Sequence, residues 1–151
     1  MGASPFSNWH ISPFSMDGVN FNCAEQAMMY YKAKTFGDEE SAKKIMETEL
    51  PREQKSLGRG VKNFDATVWD ENKEKIVLDI LVAKFSQNED CKEALAKTSG
   101  TRLVESSKYD KIWGIGLDET DPRAQDESQW QGLNLLGKLL DITRDICCPK
   151  R

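Results

Sequence analysis

The chain predicts an α+β fold, mostly helical, packed on a small and mainly antiparallel sheet. Three observations carry that expectation. An Asp-Gly turn near the N-terminus sits between alternating apolar residues, several helix-periodic stretches follow it, and the β-α-β alternation that a parallel nucleotide-binding sheet needs is absent. With 151 residues the chain is long enough to bury a core as one domain, residues 1–151.

Phe14, Met16, Val19 and Phe21 alternate around Asp17-Gly18, the favoured two-residue hairpin turn. Residues 22–38, NCAEQAMMYYKAKTFGD, read as one helix: good helix formers, no proline, and a Phe36-Gly37-Asp38 stop. Gly37 suits its C-terminal cap, and Asp38 suits the start of the next helix, DEESAKKIMETE. In LPREQKSLGRG a short helix is expected to begin at Pro51 and end at Gly58. ATVWDENKEKIVLDILVAKFSQ is the longest periodic stretch, with Trp69, Ile76, Val77, Ile80, Leu81 and Phe85 on its buried side. NEDCKEALAKT reads as a shorter helix, TRLVES and KIWGIG as short strands, and the polar LDETDPRAQDESQW, with Pro122, as a loop. QGLNLLGKLLDITRDIC closes the chain as a helix with Leu133, Leu136, Leu140 and Ile146 inside.

Lys plus Arg number 21 and Asp plus Glu 25, a net charge of −4. That balance disfavours sequence-independent binding to a nucleic-acid backbone but is compatible with a local basic pocket. No apolar run approaches the roughly 20 residues of a membrane span. MGASPFSNWH lacks the layout of a signal peptide, Phe6 breaks the myristoylation pattern, and CCPKR is not a prenylation signal. Cys23, Cys91, Cys147 and Cys148 form neither a CxxC pair nor a zinc spacing. The expectation is a reduced, cytoplasmic protein with no membrane association, no metal and no other cofactor. His10 is the only histidine, so a triad or a histidine-rich metal centre would have to use it. Gly114 and Gly116 lack the third glycine and the helix of a dinucleotide fingerprint, and no Walker loop occurs.

What remains is carboxylates, amines and aromatic rings. Glu25, Met29, Lys32 and Phe36 share one face of the 22–38 helix. Seven residues separate Glu25 from Lys32, about 10.5 Å along the axis, too far for a direct pair but enough for a ligand between them. The plainer reading is that Glu25 complements the helix dipole and Lys32 snorkels, and the pattern alone favours it. Asp110 reads as a turn residue or as an acid/base or ribose-binding group, and Trp113 as core or as a stacking platform. Asn134 in a leucine-rich helix needs a partner, backbone or ligand, because a buried unpaired amide costs about 1–3 kcal/mol. Arg59 reads as a solvated loop residue or as a phosphate clamp.

The ordered motifs resemble the NADAR family, also called YbiA-like. PFSNW precedes the hairpin, and CAEQAMMYYKAKTF supplies Glu25 and Lys32 at the family spacing, with Cys23 and Gln26 standing where the pattern has Ser and His. LGRGV, VAKFSQN, LVESSKYDKIWGIG and GLNLLGKLLDITRD follow in family order across nearly the whole chain. The resemblance implies hydrolysis of an N-glycosidic bond. It implies as substrate a phosphoribosylamino-pyrimidine intermediate of riboflavin synthesis or an ADP-ribosylated nucleobase such as guanine, carried free or on nucleic acid. It implies a site that includes Asn8, Glu25, Lys32, Glu105, Asp110, Trp113 and Asn134.

On that reading Glu25 stabilises the anomeric cation or activates water, and Asp110 assists ribose or the leaving base. Lys32 binds hydroxyls or attacks C1′, and Trp113 stacks on the base. Because the protein is net acidic, phosphate recognition falls to a few local groups such as Arg59 and neighbouring glycine amides. Two other classes stay open: a non-catalytic ADP-ribose or nucleotide-binding module, and an interaction module using the acidic helix near Asp38 to Glu49.

Overall fold

The computed structural model of the chain describes residues 4–149; the expectations resting on residues 1–3 and 150–151 lie outside them. Two strands form an antiparallel hairpin, β1 (Phe14–Met16) and β2 (Val19–Phe21), with Phe14 opposite Phe21 and Met16 opposite Val19. Asp17 and Gly18 both have positive φ, 53° and 77°, the conformation a two-residue hairpin turn requires. Phe14 and Phe21 are buried with ring centres 5.7 Å apart, and Tyr30 and Tyr31 close over Phe21.

The helices follow in chain order: α1 (Ala24–Thr35), α2 (Glu39–Glu47), α3 (Pro51–Arg59), α4 (Ala66–Gln87), α5 (Glu89–Ala96) and α6 (Leu135–Cys147). The architecture is the α+β arrangement expected from the sequence: six helices with one small antiparallel sheet among the described residues. Helix α1 packs against α2, α3, α4 and β2, while α4 packs against α5, α6 and β1. No described helix is long and apolar enough to cross a membrane.

The punctuation read from the sequence is in place. Gly37 takes φ 70° after α1, and the Asp38 carboxylate accepts from Ser41 N and from Lys62 N. Asp65 caps α4 through Thr67 N and Val68 N. The N-terminus of α1 has no side-chain cap from Cys23. Instead Glu25 N donates to Asn8 O at 2.9 Å, and Asn22 N donates to the Gln26 amide at 2.8 Å.

Four expectations need correction. Helix α3 does not end at Gly58. It runs one residue further, Gly58 packs against the Met29 side chain, and Arg59 lies in the last helical turn rather than in a loop. TRLVES and KIWGIG form no strands, because their backbone groups find partners one at a time. Ile115 N donates to Glu105 O, Gln131 N to Ile115 O and Asn134 N to Gly114 O, while Gly116 at φ 73° interrupts any ladder. The inner face of α6 is Leu135, Leu136, Leu139, Leu140 and Thr143, whereas Leu133 and Ile146 are exposed. Leu133 precedes the left-handed Asn134 and so stands off the helix, and the Leu136, Leu140 and Thr143 row runs on to the partly buried Cys147. Finally, Ile76 on α4 is only partly buried, while Lys84 is fully buried among the apolar residues.

Lys84 shows what burying such a group achieves. Its ammonium donates to Ser7 O at 3.0 Å, and burial pushes its pKa down to about 8. Phe85 beside it stacks on Phe6. The two side chains strap the N-terminal segment across the helices.

Gly137 in α6 faces Leu103 O, so an added Cβ would collide with backbone; at Gly58 it would meet the flexible end of Met29. Gly137→Ala is therefore expected to lower unfolding free energy by about 2–3 kcal/mol, more than Gly58→Ala, in urea titrations of the two variants.

Candidate active site

One cavity of about 570 Å³ opens where the N-terminal strap, α1, α3 and the 97–134 connection meet. That size suits a small organic ligand. Seven of the eight residues singled out from the sequence line it: Asn8, Glu25, Lys32, Arg59, Glu105, Asp110 and Trp113. Asn134 does not. Its amide is used up by backbone, accepting from Glu105 N at 2.9 Å and donating to Leu103 O at 3.1 Å. Of the two partners open to it from the sequence, backbone is the one it has. It acts in place of a neighbouring strand and holds Glu105 at the cavity. Cys23 and Gln26 lie outside the lining. Cys23 bonds to Gln54 on α3, and Gln26 reaches Ile45 O and Thr48 O. His10 also lies outside it.

Other lining residues escaped the sequence reading. Lys55 stands one turn before Arg59 on α3, a relation hidden by expecting the helix to stop at Gly58. Trp69 was read only as core. Trp9 and Tyr109 carried no periodic signal. They are 40% and 86% exposed at the rim, whereas Trp69 is buried and Trp113 packs against the core.

The charged lining is split by origin. Lys32 comes from α1, Lys55 and Arg59 come from α3, and Glu105 and Asp110 come from the connection between α5 and α6. Glu25, near the start of α1, is only 4% exposed. Among the described residues the side chains of Glu25, Lys32, Lys55, Arg59 and Glu105 have no hydrogen-bond or ion-pair partner. Asp110 spends one oxygen on Ile112 N and Trp113 N and keeps the other. The Asn8 side-chain oxygen is buried without a partner.

Burial dominates the electrostatics. It pushes the Glu25 carboxyl up to about 7, against the pull of Lys55, Lys32 and Arg59 and with a small push from Asp110. Burial also raises Glu105, helped by the Asp110 charge. Lys32 is lowered, first by burial and then by Arg59, while Glu25 opposes the change. The cavity thus holds one carboxyl, Glu25, that exchanges its proton near neutrality, cations that are not neutralised, and aromatic walls. That combination suits charge separation in a bound ligand.

Comparison with known proteins gives the family and the overall fold. The NADAR domain model matches residues 2–146. N-glycosidase R617 of Acanthamoeba polyphaga mimivirus is 44% identical over 149 residues, covering 95% of this chain and 88% of that protein. Protein irg-1 of Caenorhabditis elegans is 42% identical over 129 residues, 84% of this chain; the match takes in 61% of irg-1's own length. The NMR structure of E. coli YbiA superimposes with a TM-score of 0.75 at 27% identity, covering 94% of this chain and 76% of YbiA.

The raised Glu25 pKa has a stability consequence with a definite sign. Its folded value, about 7, exceeds the ordinary 4.5, so its contribution to stability is full below pH 4.5 and is lost as pH rises through 7. Glu25→Gln removes that loss. The variant is expected to match the parent near pH 4.5 and to exceed it by about 3 kcal/mol at pH 8 in denaturant unfolding.

Proposed function

The chain belongs to the NADAR domain family, and from that premise we propose that it is an N-glycosidase that cleaves the C1′–N ribosyl bond of an ADP-ribosylated nucleobase such as guanine or of a phosphoribosylamino-pyrimidine. The observation that carries this reading is the set of unpaired ionisable side chains around one aromatic-walled cavity. Free cations suit ligand binding of either kind, and the buried Glu25 carboxyl, raised to about 7, is what favours a hydrolase over a binding module.

Cleaving the bond builds positive charge at C1′ and negative charge on the departing base. Glu25 as carboxylate faces the first, accepting a proton from the attacking water as its oxygen bonds to C1′. Glu105, its carboxyl pushed up by burial, is assigned to the base, which leaves with the C1′–N electron pair. The free oxygen of Asp110 takes a ribose hydroxyl, and Asn8 offers its unpartnered oxygen to another. Lys32 as ammonium steadies the sugar on the opposite wall. Trp113 and Trp69 flank a flat ring inside the cavity. Lys55 and Arg59 at the exposed edge suit phosphate. The exposed Trp9 and Tyr109 offer a second flat ring a place at the mouth. That favours the ADP-ribosyl conjugate, which carries two bases, over the single-base phosphoribosyl compound.

The test is release of free base from ADP-ribosylated guanine, from ADP-ribosylated single-stranded DNA and from phosphoribosylamino-pyrimidine, followed by chromatography. Turnover of at least one is expected, rising with pH through about 7 as Glu25 ionises. Glu25→Gln is expected to lower kcat by at least about 100-fold with the fold intact. Binding of all three without any base release would leave a nucleotide-binding module. Lys55→Met and Arg59→Met are each expected to raise KM several-fold while changing kcat little, the signature of lost ground-state binding, in initial-rate measurements.

A further inference from the structure

Lys32 lacks a carboxylate partner, yet its amine is not loose. Its Nζ lies 4.7 Å from the centre of the Phe64 ring. Phe64 is outside the cavity lining, in the segment joining α3 to α4, and is 46% exposed. A ring kept there only for burial would turn inwards. This one leaves nearly half its surface in water and sets its face against an amine on the cavity wall.

The ring's placement is built rather than incidental. Asn63 beside it adopts a left-handed φ of 63°, which reverses the chain just before the ring. Lys62 N is tied to the Asp38 carboxylate at 2.9 Å, and Asp65 caps α4, so both flanks of Phe64 are anchored. Phe36, the residue ending α1, packs against the ring with centres 5.3 Å apart at 65°, which adds a further contact that fixes it.

We propose that Phe64 is a positioning residue for the site, its ring face holding the Lys32 amine as a cation on the cavity wall with its N–H groups turned to the substrate. An aromatic face attracts an ammonium and not a neutral amine. A carboxylate in that position would hold the charge too, but it would also compete with the substrate for the N–H donors. The ring has no such lone pairs to offer. The other charged groups facing the cavity with Lys32 are Glu25 on its own helix, Lys55 and Arg59 from α3, and Glu105 and Asp110 from the α5–α6 connection; α2 and α4 add no charged side chain to the lining. Burial and Arg59 work against the cation, and Glu25 supports it only while itself ionised. Of the two contributions that favour the cation, Phe64 is the one that does not vary with pH.

The consequence for turnover rests on the proposed role of Lys32; the contact itself does not. The experiment is therefore an NMR titration of the full chain labelled at lysine, the Lys32 signal assigned by its loss in Lys32→Arg. Phe64→Leu is expected to move the Lys32 midpoint to lower pH by about half a pH unit. Phe64→Trp, with the stronger face, is expected to keep or raise it. A Leu variant that titrates like the parent, or a Trp variant that titrates below it, overturns the proposal, and the Trp variant decides the matter should the Leu variant fold poorly. In base-release assays the basic limb of the pH profile is expected to move with the Lys32 midpoint in Phe64→Leu. A moved titration with an unmoved pH profile supports the contact and counts against the catalytic reading of Lys32 instead.

Discussion

Glu25 is a carboxyl kept almost entirely from water without a hydrogen bond to its side chain, and the architecture follows from tolerating it. Taking an ionisable group out of water costs several kcal/mol unless it is paired or neutralised. Here Lys55, Lys32 and Arg59 offset part of that cost through space, and protonation near pH 7 offsets more. Direct pairing would be the more stable arrangement, but it would close the cavity to a ligand. Helix α1 can present Glu25 this way because it is enclosed by the hairpin and three other helices, which hold its backbone whatever the carboxyl does.

The two segments that complete the cavity are irregular, so their placement depends on single buried polar side chains rather than on ladders. Lys84 holds Ser7 O, and Glu25 N holds Asn8 O, which brings Asn8 and Trp9 over the start of α1. Asn134, in a left-handed conformation at the head of α6, grips Leu103 and Glu105 from both ends of its amide, and Gly137 clears the space they need. Each of these groups would be costly if unpaired, so the loop is held at about its one position where all are satisfied. Irregular chain held in this way can carry an acid to a site with a precision usually associated with regular elements.

The charges of the cavity are divided between rigid and adaptable supports. The cations stand on α1 and α3, whose close approach at Gly58 and Met29 sets their separation from Glu25. The acids opposite them stand on the α5–α6 connection. Lys55 and Arg59 are exposed and can follow a flexible anion, while Glu25 and Glu105 are withdrawn from water where their proton affinities are raised. The same cavity therefore offers binding at its rim and proton exchange at its floor.

The local chemistry of the sequence determined most elements of the fold. Asp17-Gly18 specifies its turn, Gly37-Asp38 ends one helix and begins another, Asp65 caps α4, and the 66–87 periodicity marks a helix with those limits. These are short-range effects of backbone sterics and capping, which depend on neighbours along the chain. Motif order also pointed to Asn8, Glu25, Lys32, Glu105, Asp110, Trp113 and Asn134, and the charge of Arg59 to phosphate, although by periodicity alone Glu25 and Lys32 looked like ordinary helix-end charges. What required the folded molecule is everything decided between distant segments. TRLVES and KIWGIG have the composition of strands, but a strand exists only when a partner presents a matching ladder, and here α6 and the 110–116 turn take those bonds singly. The partners of Lys84 and Asn134 are settled only when Ser7 O, Leu103 O and Glu105 N appear beside them. Lys55, Trp69, Tyr109 and Phe64 acquire meaning only from the cavity and from Lys32. Turn and cap preferences act within a few residues, whereas burial, proton affinity and the pairing of polar groups are properties of the surroundings, which exist only once the chain has packed.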